Sequence, residues 1–452
     1  MTLGQFAKIV GGRLVASPDE RLEGFCLDSR AIVPGSLFLA ITGKRHDGHE
    51  YAAEAVRKGA VAAVVERPVD APHVLVPSLV EALARFALSF RETFSGPVIG
   101  ITGSNGKTST KEFAAAACSP LGQVLKSPAN HNTEYTAPLV WASLTRDTAV
   151  AVVEMGMRGF GQIAHLCRFS RPTIGVITMI GSSHVEMVGS REGIAEAKAE
   201  LFDALPADGV AILWAEDDFA AVLRERAPCP VRTFGFSPEA ECRVLGYRAL
   251  SWDRCLVRAH LDGQSFEAEL PTVGRHQALN AAAAVLAAHS AGTGVAAAAE
   301  ALAHADLPPL RMEVRPLNGA TVLLDTYNAS PDSTMAAVRT LAELPASGRR
   351  FAIIGEMREL GDLSETGHRQ VGRALGEANL DRVVLYGEAT KFVESEAVRA
   401  GLDPSKIVEA ATLEDVRRFL EGLASGDVVL MKGSRSLEME TAVPEDRGVS
   451  TR

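Results

Sequence analysis

The sequence predicts an α/β protein of three domains. A small N-terminal α/β domain precedes a central doubly wound sheet with an added antiparallel meander, and a Rossmann-like domain closes the chain. Three observations predict this. The chain has 452 residues, more than one hydrophobic core ordinarily serves. Short apolar runs of strand length alternate with helical stretches, the pattern of a parallel sheet covered on both faces. Two breaks, Ser95-Gly96-Pro97 and Leu307-Pro308-Pro309, divide the chain into 1–95, 96–310 and 311–452.

Composition narrows the class. Hydrophobic residues make up 47% and charged residues 23%, which excludes a disordered or fibrous chain. The net charge of -10 excludes a sequence-independent grip on nucleic acid, while leaving room for a local basic pocket for a phosphorylated small molecule. None of the six cysteines forms a C-x-x-C pair, so free thiols in a reducing compartment are expected, with neither disulfides nor a zinc site. The N-terminus lacks an apolar h-region, and the Ala-rich stretch Ala281 to Ala303 is broken by His289, Ser290, Gly292 and Gly294. No membrane insertion and a cytoplasmic location are therefore expected; a monomer is expected as well.

The elements follow in order. Ser36 to Ile41 reads as a strand after the Pro34-Gly35 turn, Tyr51 to Lys58 as a helix and Val61 to Val65 as a strand. Val80 to Phe94 carries Leu83, Phe86, Ala87 and Phe90 on one helical stripe. Val98 to Thr102, Ala149 to Val153 and Thr173 to Ile180 read as buried parallel strands. Val231 to Leu270 holds four β-rich runs with a turn at Asp262-Gly263, read as the antiparallel meander. Ala278 to Ala303 is a helix pair. After the second break, Val322 to Asp325, Phe351 to Gly355, Val383 to Gly387 and Val428 to Lys432 restart the parallel pattern.

The sharpest chemical signal is Thr102-Gly103-Ser104-Asn105-Gly106-Lys107-Thr108, between a buried strand and the helix Lys107 to Ala117. Glycines let consecutive backbone N–H groups face phosphate oxygens, and the helix N-terminus adds positive potential. Lys107 would reach the β- and γ-phosphates, and the Thr108 hydroxyl would ligate Mg²⁺. The strict pattern places glycine where Ile101 stands, so this is a variant P-loop. Glu154 ends a strand beside it, placed to hold Mg²⁺ or to serve as an ordinary strand-end acid. His184 follows another strand end and reads as a ligand or as a solvated loop histidine. In Ile194 to Phe202, Lys198 shares the face of Ile194, Ala197, Leu201 and Phe202. An inward lysine is neutral, paired, chemically altered, or snorkels to the edge. Asn130 to Glu134, placed in a loop between helices, is a polar cluster that binds a ligand or forms a turn. Asp325 to Ser333 begins at the end of the last domain's first strand, and Lys432 to Arg435 ends its last one. Polar strand ends in both domains point to a cleft between them.

Together these motifs resemble the Mur ligase family, ATP-dependent amide-forming enzymes of peptidoglycan precursor synthesis. The resemblance runs from about Cys26 to Glu440 through Asp28-Ser29-Arg30, Asp47-Gly48-His49, Thr102 to Thr108, Glu154-Met155-Gly156, His184, Lys198, Arg275 to Asn280 and Arg311. Within the family, DTYNASPDS at 325–333, GEMRELGDLSETGHRQVG at 355–372 and KGSR at 432–435 are similar to the branch that adds D-alanyl-D-alanine. Two places depart from the family: Tyr135-Thr136 stand where Ile-Gly is common, and Met179 where asparagine is frequent.

The resemblance implies the substrates UDP-N-acetylmuramoyl-tripeptide, D-alanyl-D-alanine and ATP, and Mg²⁺ as the metal. It implies that Ser29 and Arg30 meet the uridine diphosphate and that Asn132 and Thr133 face the muramoyl peptide. Gly103, Ser104, Asn105, Gly106, Lys107, Thr108 and Ser109 would cradle the ATP phosphates. Thr108 and Glu154 would hold a first Mg²⁺, and His184 with a carbamylated Lys198 would serve a second. Asn280 would meet the adenine, Arg311 and Asp325 would close on ATP, and Arg435 would meet the dipeptide. The expected chemistry passes through an acyl phosphate, with the third domain swinging onto the second once ATP binds. The rival readings are a diamino-acid-adding ligase of the same family, a folylpolyglutamate synthase, or a P-loop switch ATPase that forms no bond.

Overall fold

A computed structural model describes residues 1–43, 46–183 and 185–444. Among these residues the strands form three sheets, and each strand sits where the sequence gives it two covered faces or one edge.

The first sheet is built from β1 (Arg13–Val15), β2 (Gly24–Cys26), β3 (Ser36–Leu39), β4 (Ala62–Val65) and β5 (His73–Leu75), in the order β1-β5-β4-β3-β2. All neighbours are parallel except β1 with β5. Helices Leu3–Val10 and Leu79–Arg91 cover one face through Phe6, Leu79, Leu83 and Phe86. Leu79–Arg91 ends three residues short of the predicted Phe94.

The central sheet runs β14-β13-β12-β11-β10-β9-β6-β8-β7. Its strands are β6 (Val98–Thr102), β7 (Gln123–Lys126), β8 (Thr148–Glu154), β9 (Ile174–Ile177), β10 (Val210–Trp214), β11 (Val231–Gly235), β12 (Cys242–Ala249), β13 (Cys255–Leu261) and β14 (Gln264–Leu270). The chain leaves β6 in both directions across the sheet, so the end of β6 is a topological switch point, where such sheets bind ligands. On one face the helices Lys107–Cys118 and Arg275–Ser290 pack against each other and the sheet. Alanines at 281–284, 287 and 288 let the two backbones approach closely. The other face carries Gln162–Ser170 and Arg191–Asp203.

The third sheet runs β15-β16-β20-β17-β18-β19, from β15 (Glu313–Leu317), β16 (Ala320–Leu324), β17 (Arg350–Gly355), β18 (Arg382–Tyr386), β19 (Ile407–Ala410) and β20 (Val428–Lys432). It is parallel apart from the β15–β16 hairpin.

Several elements differ from expectation. Of the four runs in 231–270, β11 is parallel to both neighbours, and only β12–β14 form an antiparallel meander, which continues the same sheet. The predicted strand 173–180 is regular only over Ile174–Ile177, and Thr178, Met179 and Ile180 line the cleft. Asn130 to Glu134 lies between β7 and the helix Ala137–Val140, not between helices. Asp325 follows the second strand of its sheet, because the edge strand β15 comes first. All six cysteines are free, and four are buried; Cys26 and Cys229 are half-buried. Burial pushes the thiols of Cys118, Cys242 and Cys255 up to about 12. No helix among the described residues is long and apolar enough to cross a membrane.

Candidate active site

The loop after β6 is shaped by two glycines. Gly103 has φ +149°, and a Cβ there would lie 1.8 Å from the Thr178 hydroxyl. Gly106 has φ +82°, and its Cβ would lie 2.5 Å from Asn280 Oδ1. No side chain caps the helix Lys107–Cys118, whose N-cap is Gly106, so its first N–H groups are left to whatever occupies the cleft. Lys107 folds back, donating to the carbonyls of Gly103 (2.8 Å) and Ser104 (3.3 Å). Desolvation holds its ammonium below the ordinary lysine range, opposed by Glu154 and reinforced by Arg311.

Beside the loop, Glu154 ends β8 with 1% exposure. Its Oε1 accepts from Asn132 Nδ2 at 2.7 Å, whereas its buried Oε2 has no partner. A carboxylate oxygen so placed costs stability unless a cation or donor meets it. The Thr108 hydroxyl lines the same cleft. These are hard oxygen donors of the kind Mg²⁺ takes along with phosphate and water, so the residues fit that ion. Among the described residues there is no cluster of three or more His, Cys, Asp or Glu side chains that could hold a metal ion.

Lys198 is buried at 1% exposure and also lines the cleft, with no hydrogen bond or ion pair among the described residues. Desolvation, then the nearby Lys107, pushes its pKa well below the ordinary value. The inward placement read from its helical face is therefore what the structure has. His184 lies outside the described residues.

The third sheet closes over this floor. Arg311 Nη2 donates to the Thr108 hydroxyl at 3.0 Å, and its guanidinium lies 4.0 Å from the centre of the Tyr327 ring. Leu310 and Met312, on either side of Arg311, have φ +63° and +55°. Ser330 Oγ donates to Asn105 Oδ1 (3.1 Å), and the Ser182 N–H donates to Asp332 Oδ2 (3.4 Å). Asp325 accepts from the buried Lys432 at 2.6 Å, and Lys432 also donates to the Asn328 carbonyl. His276, near this pair, is pushed down to about 4 by desolvation, with Asp325 opposing and Lys432 adding to the shift.

The result is a cleft of about 750 Å³ between the central and third sheets. It brings together Ser104 to Ser109, Asn132, Thr133, Glu154, Lys198, Asn280, Arg311 and Asp325. Asn280 packs on the phosphate loop itself and donates to Gln277 Oε1. Gly103 sits under the loop, outside the lining. Ser29 and Arg30 are in the turn after β2 of the N-terminal sheet, outside the cleft lining: the Ser29 carbonyl accepts from Lys58, and Arg30 pairs with Asp28 at 2.7 Å. Arg435 also lies outside the lining, paired with Glu440.

Sequence reasoning missed Lys111 and Ser127 and gave no role to Tyr327, Ser330, Asp332 or Lys432. The last four lie inside segments it quoted. For Lys111 the signal was present: it is a lysine on the inner face of an Ala-rich helix, the pattern that singled out Lys198.

Comparison with known proteins fits this arrangement. Family models described as Mur ligase family, catalytic domain; Mur ligase middle domain; and Mur ligase, glutamate ligase domain match residues 21–91, 101–288 and 310–435. A UDP-N-acetylmuramoyl-tripeptide--D-alanyl-D-alanine ligase of Bacillus subtilis is 31% identical, over 98% of this chain and 98% of its own length. The chain belongs to the Mur ligase family. Among solved structures, MurF from Acinetobacter baumannii superposes with a TM-score of 0.86 at 30% identity, covering 98% of this chain and 97% of the other. MurF ligase from Thermotoga maritima in complex with ADP gives 0.80 at 31% identity, covering 94% and 96%. The three-sheet architecture of this Mur ligase is thus that of solved family members. As a member of that family it is an ATP-dependent amide-forming enzyme.

Proposed function

We propose that this Mur ligase joins D-alanyl-D-alanine to the terminal carboxylate of UDP-N-acetylmuramoyl-tripeptide, with ATP converted to ADP and phosphate. The observation that carries the reading is the full-length match to a relative bearing that name. The cleft supplies groups suited to the chemistry.

A carboxylate does not condense with an amine, because oxide is too poor a leaving group. The carboxylate oxygen attacks the γ-phosphorus of ATP; an O–P bond forms, the bond to the β-phosphate oxygen breaks, and ADP leaves. The amine nitrogen of the dipeptide then attacks the acyl carbon. A C–N bond forms, the C–O bond breaks, phosphate departs with the electron pair, and the nitrogen sheds its proton. Both steps bring anions together, so positioning and charge neutralisation dominate.

In this reading Gly103 to Ser109 hold the phosphates, and Lys107 swings from its two carbonyls to the γ-phosphoryl oxygens. Thr108 and Glu154 would hold Mg²⁺, with Asn132 fixing the Glu154 carboxylate. Bound there, the ion would neutralise phosphate charge. Lys198, carbamylated, would present an anion in place of an amine and with His184 would hold a second ion. A lysine with a depressed pKa offers the free amine that CO₂ requires. Arg311 and Asp325 come from the third sheet, with Asn280 toward the adenosine. Thr133 and Asn132 would face the peptide, Ser29 and Arg30 the uridine diphosphate, and Arg435 the dipeptide. Nucleotide-linked substrates and ATP point to work in the cytoplasm.

The test is phosphate release by the purified enzyme with ATP and the tripeptide precursor. D-alanyl-D-alanine should trigger release and yield a peptide bond; free D-alanine, or a diamino acid with the dipeptide precursor, should not. Phosphate released at the full rate without any amine would overturn the reading in favour of a switch ATPase.

A further inference from the structure

The helix that begins at the phosphate loop carries Lys111, a side chain with no exposed surface. Its ammonium donates to the carbonyls of Ser127 (2.7 Å) and Ala129 (2.8 Å) and pairs with Glu112 Oε1 (2.9 Å). Three donors meet three acceptors, so a buried cation is fully satisfied. Glu112 is tied in turn to Lys126 at 2.5 Å. The two carbonyls belong to the segment after β7, where Ala129 takes φ +43°.

That segment holds Glu154 at two points and Gly156, just beyond it, at a third. The Glu154 N–H donates to Ser127 Oγ (3.1 Å), Asn132 Nδ2 donates to Glu154 Oε1 (2.7 Å), and the Gly156 N–H donates to the Asn132 carbonyl (2.8 Å). A continuous chain of contacts therefore runs from the phosphate-loop helix through Lys111 to the segment 127–132 and on to the carboxylate with the unpaired oxygen.

We propose that Lys111 is a positioning residue that sets the aim of Glu154 Oε2 relative to the phosphate loop, so that a divalent cation and the nucleotide phosphates are bound as one unit. Lys111 touches neither; it acts through Ser127 and Asn132. The inference rests on the proposed cation role of Glu154, but not on the identity of the amine or the peptide. A short polar segment has many conformations available, and pinning two of its carbonyls to a rigid helix removes most of them before the ion arrives.

The experiment measures ADP binding by calorimetry with and without Mg²⁺, for the full chain and for Lys111→Met, Asn132→Ala and the double variant. Mg²⁺ should tighten ADP binding in the parent protein. Lys111→Met should remove about tenfold of that gain while leaving metal-free ADP affinity within twofold, which general damage to the nucleotide site would not do. The double variant should lose no more than about threefold beyond the worse single one, because both act along one path. In turnover assays the KM for the amine substrate should stay unchanged. If Lys111→Met does not fold, Lys111→Gln, which can still reach one carbonyl, is read in the same way. A folded variant with the full Mg²⁺ gain, or losses that multiply in the double variant, would overturn the proposal. If no amide forms with any amine while the Mg²⁺ gain behaves as stated, the ligase reading fails and this one stands.

Discussion

Two lysines face the same cleft with different surroundings. Lys107 has carbonyl acceptors and a nearby carboxylate, whereas Lys198 has burial and a neighbouring cation. Lys107→Ala should reduce ATP consumption at least about a hundredfold, the scale on which a donor to developing phosphate charge acts; steady-state ADP release reads it. Lys198→Ala should lose most turnover, and added short carboxylic acids should restore part of it if an anion is needed there. His276 gives a pH prediction. Unfolded, it takes up its proton near 6.5; folded, only near 4. As pH falls through that window the unfolded state binds the extra proton, so stability drops, by on the order of 2 kcal/mol. His276→Gln should flatten that drop in denaturant titrations run between pH 7 and pH 4.

At the level of elements, the sequence made the parallel strands legible because burial on both faces leaves an unbroken apolar run, as in β6, β8, β17 and β20. Edge strands such as β7 and β15 were not legible: QVLK and EVRPL mix polar and apolar residues, and only their neighbours make them strands. The phosphate loop could be read because its glycines are required by backbone shape. Lys111 could not be weighed without knowing which carbonyls the fold would bring to it. The Ala-rich helix Arg275–Ser290 carries its own prediction. Ala284 has no exposed surface, and Ala284→Leu should overpack the contact with the sheet and the Lys107–Cys118 helix, costing about 1–3 kcal/mol. A thermal melt with intact secondary structure at low temperature would show it.

Across the whole molecule, the central and third sheets meet through polar contacts over the cleft and through Val273, Ala249 and Trp252, which pack on the third sheet's core. Among the described residues Arg311–Thr108, Ser330–Asn105 and Ser182–Asp332 cross the cleft. Each is worth about 1 kcal/mol net. Removing two of them by Arg311→Ala and Ser330→Ala should raise the KM for ATP and enlarge the radius of gyration in small-angle scattering of the nucleotide-bound protein. An unchanged radius would show that the contact is held by other means.

The turn that delivers Arg311 has one more consequence. Leucine and methionine in left-handed backbone each cost roughly 1–2 kcal/mol that glycine would avoid. Leu310→Gly would relieve that cost and lose a comparable amount to the freer unfolded chain, so the melting point should barely move. What should suffer is fidelity of aim. A chain at ease there would let its guanidinium wander from the Thr108 hydroxyl and the Tyr327 ring that it now meets.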